Sequence, residues 1–456
     1  MASLSTVAAT FFAKASLSTG EKAAPGLLAG AGKSWIRFDD LKWPLDGFSG
    51  QHDSLGIRVL LLENTCGRFC IVVVELTSLS NELAASMKTL ISEKIHTSVE
   101  NILVCASHTF SAPHVFTDEQ IPPGTDKRQN QEILCRLKTS LLTALNQAKS
   151  RLQPARIGFG SGACQININR DQLTNKGWWL GKDSNGFADP FVGVVRIDNL
   201  KGQPIAIMFN YAVQSSVTEG FQQDSEGKKI SSDLAGAAAR YIEEYHHSDM
   251  VAFFLLGAAG DQSPIFQAMQ PVVNDNGTVS LKSNKIEAYK LLNQLAIFLG
   301  QEVVRIMEII ATSPPLALRM IRNKVTVPAL IFLPENAPKY PVTTFHYQRA
   351  GNVEVPVILM QLGNIIWIGL QPELSAITAA YIRKRSPFSH TFVSTMVDGS
   401  AKYMPDATSY DRFTYEARNS PFAPGAAELI AQTIIKHLEV LHADIYMKPG
   451  ASVNCE

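Results

Sequence analysis

The stretch "CIVVVELTSLSNELAASMKTLISEKIHTSVENILVCAS", residues 70–107, decides the fold class. Its first run, "CIVVVEL", is β-branched and of strand length. "SNELAASMKTLISEKI" then opens on Ser80, a residue type that caps helices, and carries Leu83, Met87, Leu90 and Ile91 at helical spacing. The last run, "NILVCAS", is continuously apolar, as strands covered on both faces are. Strand, helix, strand in this order implies a parallel crossover.

The pattern extends in both directions. Upstream, "IRVLLLE" (57–63) and "CIVVVEL" flank a tight turn containing Cys66 and read as adjacent strands. Downstream, a helix is expected at 127–150, strands near 155–161, 191–198 and 204–213, a helix opening on Ser231 or Ser232, and a buried strand "MVAFFLLG" (250–257). A long helix follows at about 283–311, then strands near 317–328, 355–362 and 364–369, with helices near 373–385 and 423–441. The expectation is an α/β chain, with α+β as the alternative: a mixed, largely parallel sheet core with flanking helices. Residues 31–445 read as one catalytic-size domain after a poorly ordered lead-in at 1–30. "NAPKYPVTTFHYQRAGNVEVP" (336–356) interrupts the pattern as an inserted hairpin or lid.

The composition excludes several functions. With 41 basic and 41 acidic residues among 456, the chain has no global field to attract nucleic acid or an anionic membrane. No run approaches the ~20 apolar residues of a membrane span. The first residues are rich in Ala and Ser without a basic n-region, which points to the cytoplasm. Six scattered cysteines are too few for a disulfide scaffold, and Cys66 with Cys70 lacks the second pair of a metal site. The expected partner is a small molecule; the oligomeric state is left open.

Ligand sites in open α/β sheets gather at the carboxyl ends of the strands. Polar clusters fall at several such ends: "CASHTFSAPH" (105–114) with His108 and His114, "YAVQSSV" (211–217) with Gln214, "LLGAAGDQSPIF" (255–266) with Asp261 and Ser263, and "GLQPELS" (369–375) with Glu373. Each also has an ordinary structural reading. "GDQSP" is turn-forming on local grounds, a lone histidine at a strand end is commonly structural, and Glu373 after Pro372 suits the first turn of a helix. "NINRD" (167–171) could be a turn capped by its own side chains, with Arg170 solvated.

Taken in order, these segments resemble the catalytic domain of the neutral ceramidases, zinc amidases that cleave the N-acyl bond of ceramide. The resemblance rests on "NILVCASHTFSAPH", "NINRD", "ISSDLAGAAARYIE", "GAAGDQSP", "VILMQLGNIIWIGLQPELS" and "YMPDATSYDRFTYEARNSPFAPG", and spans about residues 55–440. The family's C-terminal immunoglobulin-like domain has no counterpart in the sequence.

The resemblance implies that Ser263 is the nucleophile, with Asp261 in the same loop counted among the catalytic residues. It implies that His108, Glu373 and Tyr403 ligate zinc, that Tyr415 donates to an oxyanion, and that Arg170 contacts the polar head of the substrate. It also leaves export to the periplasm or outside the cell open. A zinc ion with an open position would let a serine react near neutral pH.

Two departures stand out. Gln214 occupies the place of the family's second zinc histidine, and a neutral amide oxygen is the weaker zinc ligand. Phe110 replaces the second histidine of the His-Thr-His loop at a substrate-contacting position. Glu75 stands where the family has Asp, and Ile265 where it has Asn. The leading expectation is therefore a ceramidase-like amidohydrolase acting on an acyl-amide. The alternatives are a biosynthetic enzyme for acyl transfer, amide formation or cyclisation with zinc weakened or lost, and a non-catalytic ligand- or partner-binding relative.

Overall fold

The computed structural model describes residues 26–222, 227–247, 249–284, 287–314, 317–331, 340–343 and 347–446. Strand Gly67–Val74, helix Asn81–Ile95 and strand Ile102–Ala106 form the expected crossover, the strands lying parallel with Cys70 opposite Ile102. Ser80 caps the helix by accepting from the Leu83 amide, and Leu83, Met87 and Ile91 face inward.

Among the described residues the main sheet has eight strands. Their spatial order is Val251–Leu256, Pro204–Tyr211, Phe191–Asn199, Gln153–Ala163, Leu28–Ile36, Leu55–Asn64, Gly67–Val74 and Ile102–Ala106. The mixed α/β class is as expected, but parallel pairing is confined to the two outermost pairs. All pairs between them are antiparallel. The expectation of a largely parallel core is corrected accordingly. Tight connections, such as those after Asn64 and Asn199, can only return the chain antiparallel.

A second sheet of four strands runs Leu318–Ile331, Gln348–Leu362, Ile365–Leu370 and His390–Ser394. Alternation along the strands explains how the two sheets stack. Leu60, Leu62, Ile71, Val73, Phe253 and Leu255 meet Ile358, Met360, Trp367 and Phe392 in one core between the sheets. Their neighbours Ile57, Val59, Val72, Phe254 and Leu256 face the other way, against helices Asn81–Ile95, Lys127–Ser150, Asp233–Tyr245 and Ala288–Ile309. Val357, Leu359, Ile366 and Ile368 pack on helices Ala376–Arg385 and Ala426–Tyr446. The result is four layers, helix–sheet–sheet–helix. Both faces of the central strands are covered, which is why they read as unbroken apolar runs.

Strand Leu28–Ile36 overlaps the part of the sequence expected to be a disordered lead-in; residues 1–25 lie outside the described residues. Its "LAGAG" looks flexible because its glycines are there for space. A Cβ on Gly30 would sit 2.2 Å from the Ala148 carbonyl oxygen, and one on Gly32 2.2 Å from that of Ala144, so helix Lys127–Ser150 crosses directly over this strand.

The candidate lid at 336–356 divides: its last part belongs to strand Gln348–Leu362, which pairs with Leu318–Ile331, while 336–339 and 344–346 lie outside the described residues. Cys70 is a free buried thiol, so it forms no bridge with Cys66. No described helix is long and apolar enough to cross a membrane.

Candidate active site

Five backbone links draw the sequence clusters into one place. The Phe110 amide donates to the Ser215 carbonyl, Gln214 to Gln262, and Arg170 to Asp261. Gly260 donates to Leu374, and Glu373 to Lys402. The last link belongs to a short parallel pairing that sets Glu373 beside Tyr403. Ser263 lies on strand Gln262–Pro264, paired antiparallel with the strand that carries Arg170. Local turn chemistry therefore serves to stitch these loops together. Asn169 donates to the Asp261 carboxylate, and Asn167 to the Gln262 amide oxygen and the carbonyls of Asp189 and Ala212.

At the centre is a buried polar chain. His108, in a left-handed conformation at φ +59°, places Nδ1 2.6 Å from the Thr77 carbonyl and Nε2 3.1 Å from Glu373 Oε2. Burial works against a charged imidazole there, but Glu373 outweighs it and the His108 pKa is raised. Gln214 Nε2 donates to the same Glu373 oxygen at 3.2 Å, and Gln214 Oε1 accepts from Arg170 Nη1 at 2.7 Å.

Arg170 in turn donates from Nε to Glu416 at 2.8 Å, with Nη2 2.7 Å from the same oxygen. Burial opposes its charge, but Glu416, Tyr403 and Glu373 hold the guanidinium protonated. The rings of Tyr403 and Tyr415, edge-to-face with each other at 6.0 Å, lie against it with centroids 5.4 and 5.7 Å away. Burial and Glu373 raise the Tyr403 pKa despite Arg170, so its hydroxyl stays protonated.

Ser263, Arg170, Gln214, Tyr403 and Tyr415 share the wall of one cleft with Phe110, with a cavity volume of ≈ 170 Å³. Leu180, Met269, Pro271 and Leu281 make its apolar side. Ser263 Oγ is buried and has no hydrogen-bond partner. His108 and Glu373 lie behind this wall, where the Phe110 ring stands edge-on to the imidazole at 4.6 Å.

Asp261, expected among the catalytic residues, does not line the cleft. One of its oxygens accepts from the Ala376 amide at the start of helix Ala376–Arg385, the other from Asn169. Burial pushes its carboxyl up to about 7. His114 pairs with Asp46 on the surface.

Three acidic residues escaped the sequence reading. Glu416 is almost wholly buried as the counter-ion of Arg170, and the "YE" following Thr414 was its only signal. Asp171 is buried beside it; burial and then Glu416 push its pKa well above the carboxylate range, so Asp171 keeps its proton. Glu219 is, among the described residues, the carboxylate lining the cleft, and its side chain reaches solvent at the mouth.

Comparison with known proteins agrees with this architecture. The neutral ceramidase from Pseudomonas aeruginosa superposes with a TM-score of 0.68 at 14% identity, covering 92% of this chain and 75% of that one. A ceramidase complexed with C2 gives 0.67 at 16% identity, covering 95% and 78%. The chain has the neutral ceramidase fold. No family model and no curated protein sequence matches it.

Within this ceramidase fold, His108, Gln214 and Glu373 meet, but Gln214 does not present a zinc-ligand atom to the others. His108 fits by itself, because Nδ1 is held by the Thr77 carbonyl, as the non-ligating nitrogen of a metal-bound histidine is, and Nε2 is left on the side of Glu373. Gln214 does not. Arginine can only donate and a carboxylate can only accept, so the amide oxygen must face Arg170 and the NH₂ must face Glu373. The position that should offer a lone pair offers N–H. Among the described residues no three His, Cys, Asp or Glu side chains converge as a metal-binding set.

Proposed function

We propose that the protein is a ceramidase-like enzyme acting on an N-acyl amide, either ceramide-like or another acylated small molecule, with Ser263 as nucleophile. The observation that carries this reading is the Ser263 hydroxyl: buried, without a partner, and facing a cleft walled by Arg170, Tyr403 and Tyr415.

Ser263 Oγ adds to the amide carbonyl carbon, and its proton passes to the amide nitrogen. Arg170 and the tyrosine hydroxyls stabilise the negative charge on the carbonyl oxygen, an effect worth ~3 kcal/mol per well-placed donor. The C–N bond then breaks, the amine leaves with the proton, and the acyl group stays on Ser263 as an ester. Water regenerates the serine and releases the acid. An incoming amine would instead give acyl transfer through the same ester, and product masses separate the two outcomes. The apolar side formed by Leu180, Met269, Pro271 and Leu281 suits the acyl part.

The test combines a fluorophosphonate serine probe with a panel of N-acyl amides. The expected result is covalent labelling of the peptide containing Ser263, with labelling and turnover both lost in Ser263→Ala. Unchanged turnover in that variant would end this reading.

A further inference from the structure

We infer that the polar centre of this site uses the Arg170 guanidinium as its resident cation, and that Gln214 is the positioning residue that fixes this cation and denies the Glu373 carboxylate to a divalent metal. The inference concerns the same cleft as the reading above, but it stands on the polar chain and not on the reactivity of Ser263.

The chain of bonds has a fixed polarity. Glu416 holds Arg170 from one side through Nε and Nη2; Gln214 Oε1 holds Nη1 from the other. Having spent its oxygen on Arg170, the amide can present only N–H to Glu373, and Oε2 of that carboxylate also faces His108. A metal placed between His108 and Glu373 would find one imidazole, one carboxylate and a Tyr403 hydroxyl, with a fixed N–H where a further lone pair is needed.

Arg170, by contrast, lines the cleft beside Ser263 and lies against the paired rings of Tyr403 and Tyr415. A guanidinium there supplies positive charge to an anionic oxygen without any metal exchange. The arrangement is cooperative: the Gln214 amide receives a charge-assisted bond at one end and donates one at the other, so each polarises the other.

The discriminating experiment measures metal, independently of turnover. Wild type and Gln214→His are equilibrated with zinc, dialysed into metal-free buffer without chelator, and analysed by mass spectrometry for zinc per chain, with thermal unfolding followed with and without zinc. Wild type should retain far less than one zinc and show no zinc-dependent shift. Gln214→His, which supplies the missing imidazole, should hold about one zinc per chain and unfold at a higher temperature when loaded.

A stoichiometric zinc on wild type that is lost in His108→Ala overturns the inference, as does a folded Gln214→His that remains metal-free. Should Gln214→His not fold, the wild-type zinc content decides alone. Arg170→Ala supplies a second arm. Methylguanidine added to that variant should restore serine-probe labelling to a measurable fraction of wild type, which a merely structural role would not produce; zinc restoring it instead counts against the inference.

Discussion

Gln214 and Arg170 are joined by a 2.7 Å hydrogen bond from the guanidinium to the amide oxygen, and that bond decides which way the whole polar chain points. Removing the amide leaves buried charged groups on both sides short of a partner. Gln214→Leu should therefore cost about 3–5 kcal/mol of stability, as hydrogen bonds to charged groups are worth roughly 1.5–3 kcal/mol each. Urea unfolding measures it, and a loss below about 1 kcal/mol contradicts the polar chain.

Ser263 presents the opposite case. Its hydroxyl is buried and bonded to nothing, so nothing in the folded state depends on it. Ser263→Ala should leave stability unchanged or raise it by up to ~1 kcal/mol while abolishing probe labelling. A large destabilisation would show that Oγ has a structural partner after all.

The paired carboxyls beneath Arg170 should respond unequally. Asp171 keeps its proton, so Asp171→Asn, which also donates from a neutral group, should change stability by less than about 1 kcal/mol. Glu416→Gln removes the counter-ion of a buried arginine and should cost about 3–5 kcal/mol. Equal effects in thermal melts would argue against a protonated Asp171.

Asp261 makes stability depend on pH. Burial raises its pKa from 3.8 to about 7 in the folded state, so the folded chain holds this proton more tightly than the unfolded one. The contribution is complete below pH 3.8 and is lost as pH rises to about 7, falling on the order of 4 kcal/mol across that window. Asp261→Asn should flatten this segment of the stability–pH profile. A slope unchanged in the variant assigns the effect elsewhere.

Gly32 tests the packing of the first strand. Its missing side chain leaves the space taken by the Ala144 carbonyl, so Gly32→Ala should cost about 1–3 kcal/mol or more by forcing the helix outward. A neutral substitution, read by denaturant unfolding, would mean that the helix does not lie this close.

The sequence by itself determined the crossover at 70–107, the helix at 127–150 to the residue, and the strand ends on which His108, Gln214, Ser263 and Glu373 sit. Covered strands and amphipathic helices write their burial into consecutive residues, so these features are local. Leu28–Ile36 was illegible because its glycines answer to a helix more than a hundred residues away. The partners of Arg170 were illegible for the same reason: Glu416 is 246 positions distant, and Gln214 acquires its polarity only between a guanidinium and a carboxylate. Only the tertiary structure decided which way that amide faces, because a hydrogen bond's direction is set by what stands on its two sides and leaves no periodicity in the chain.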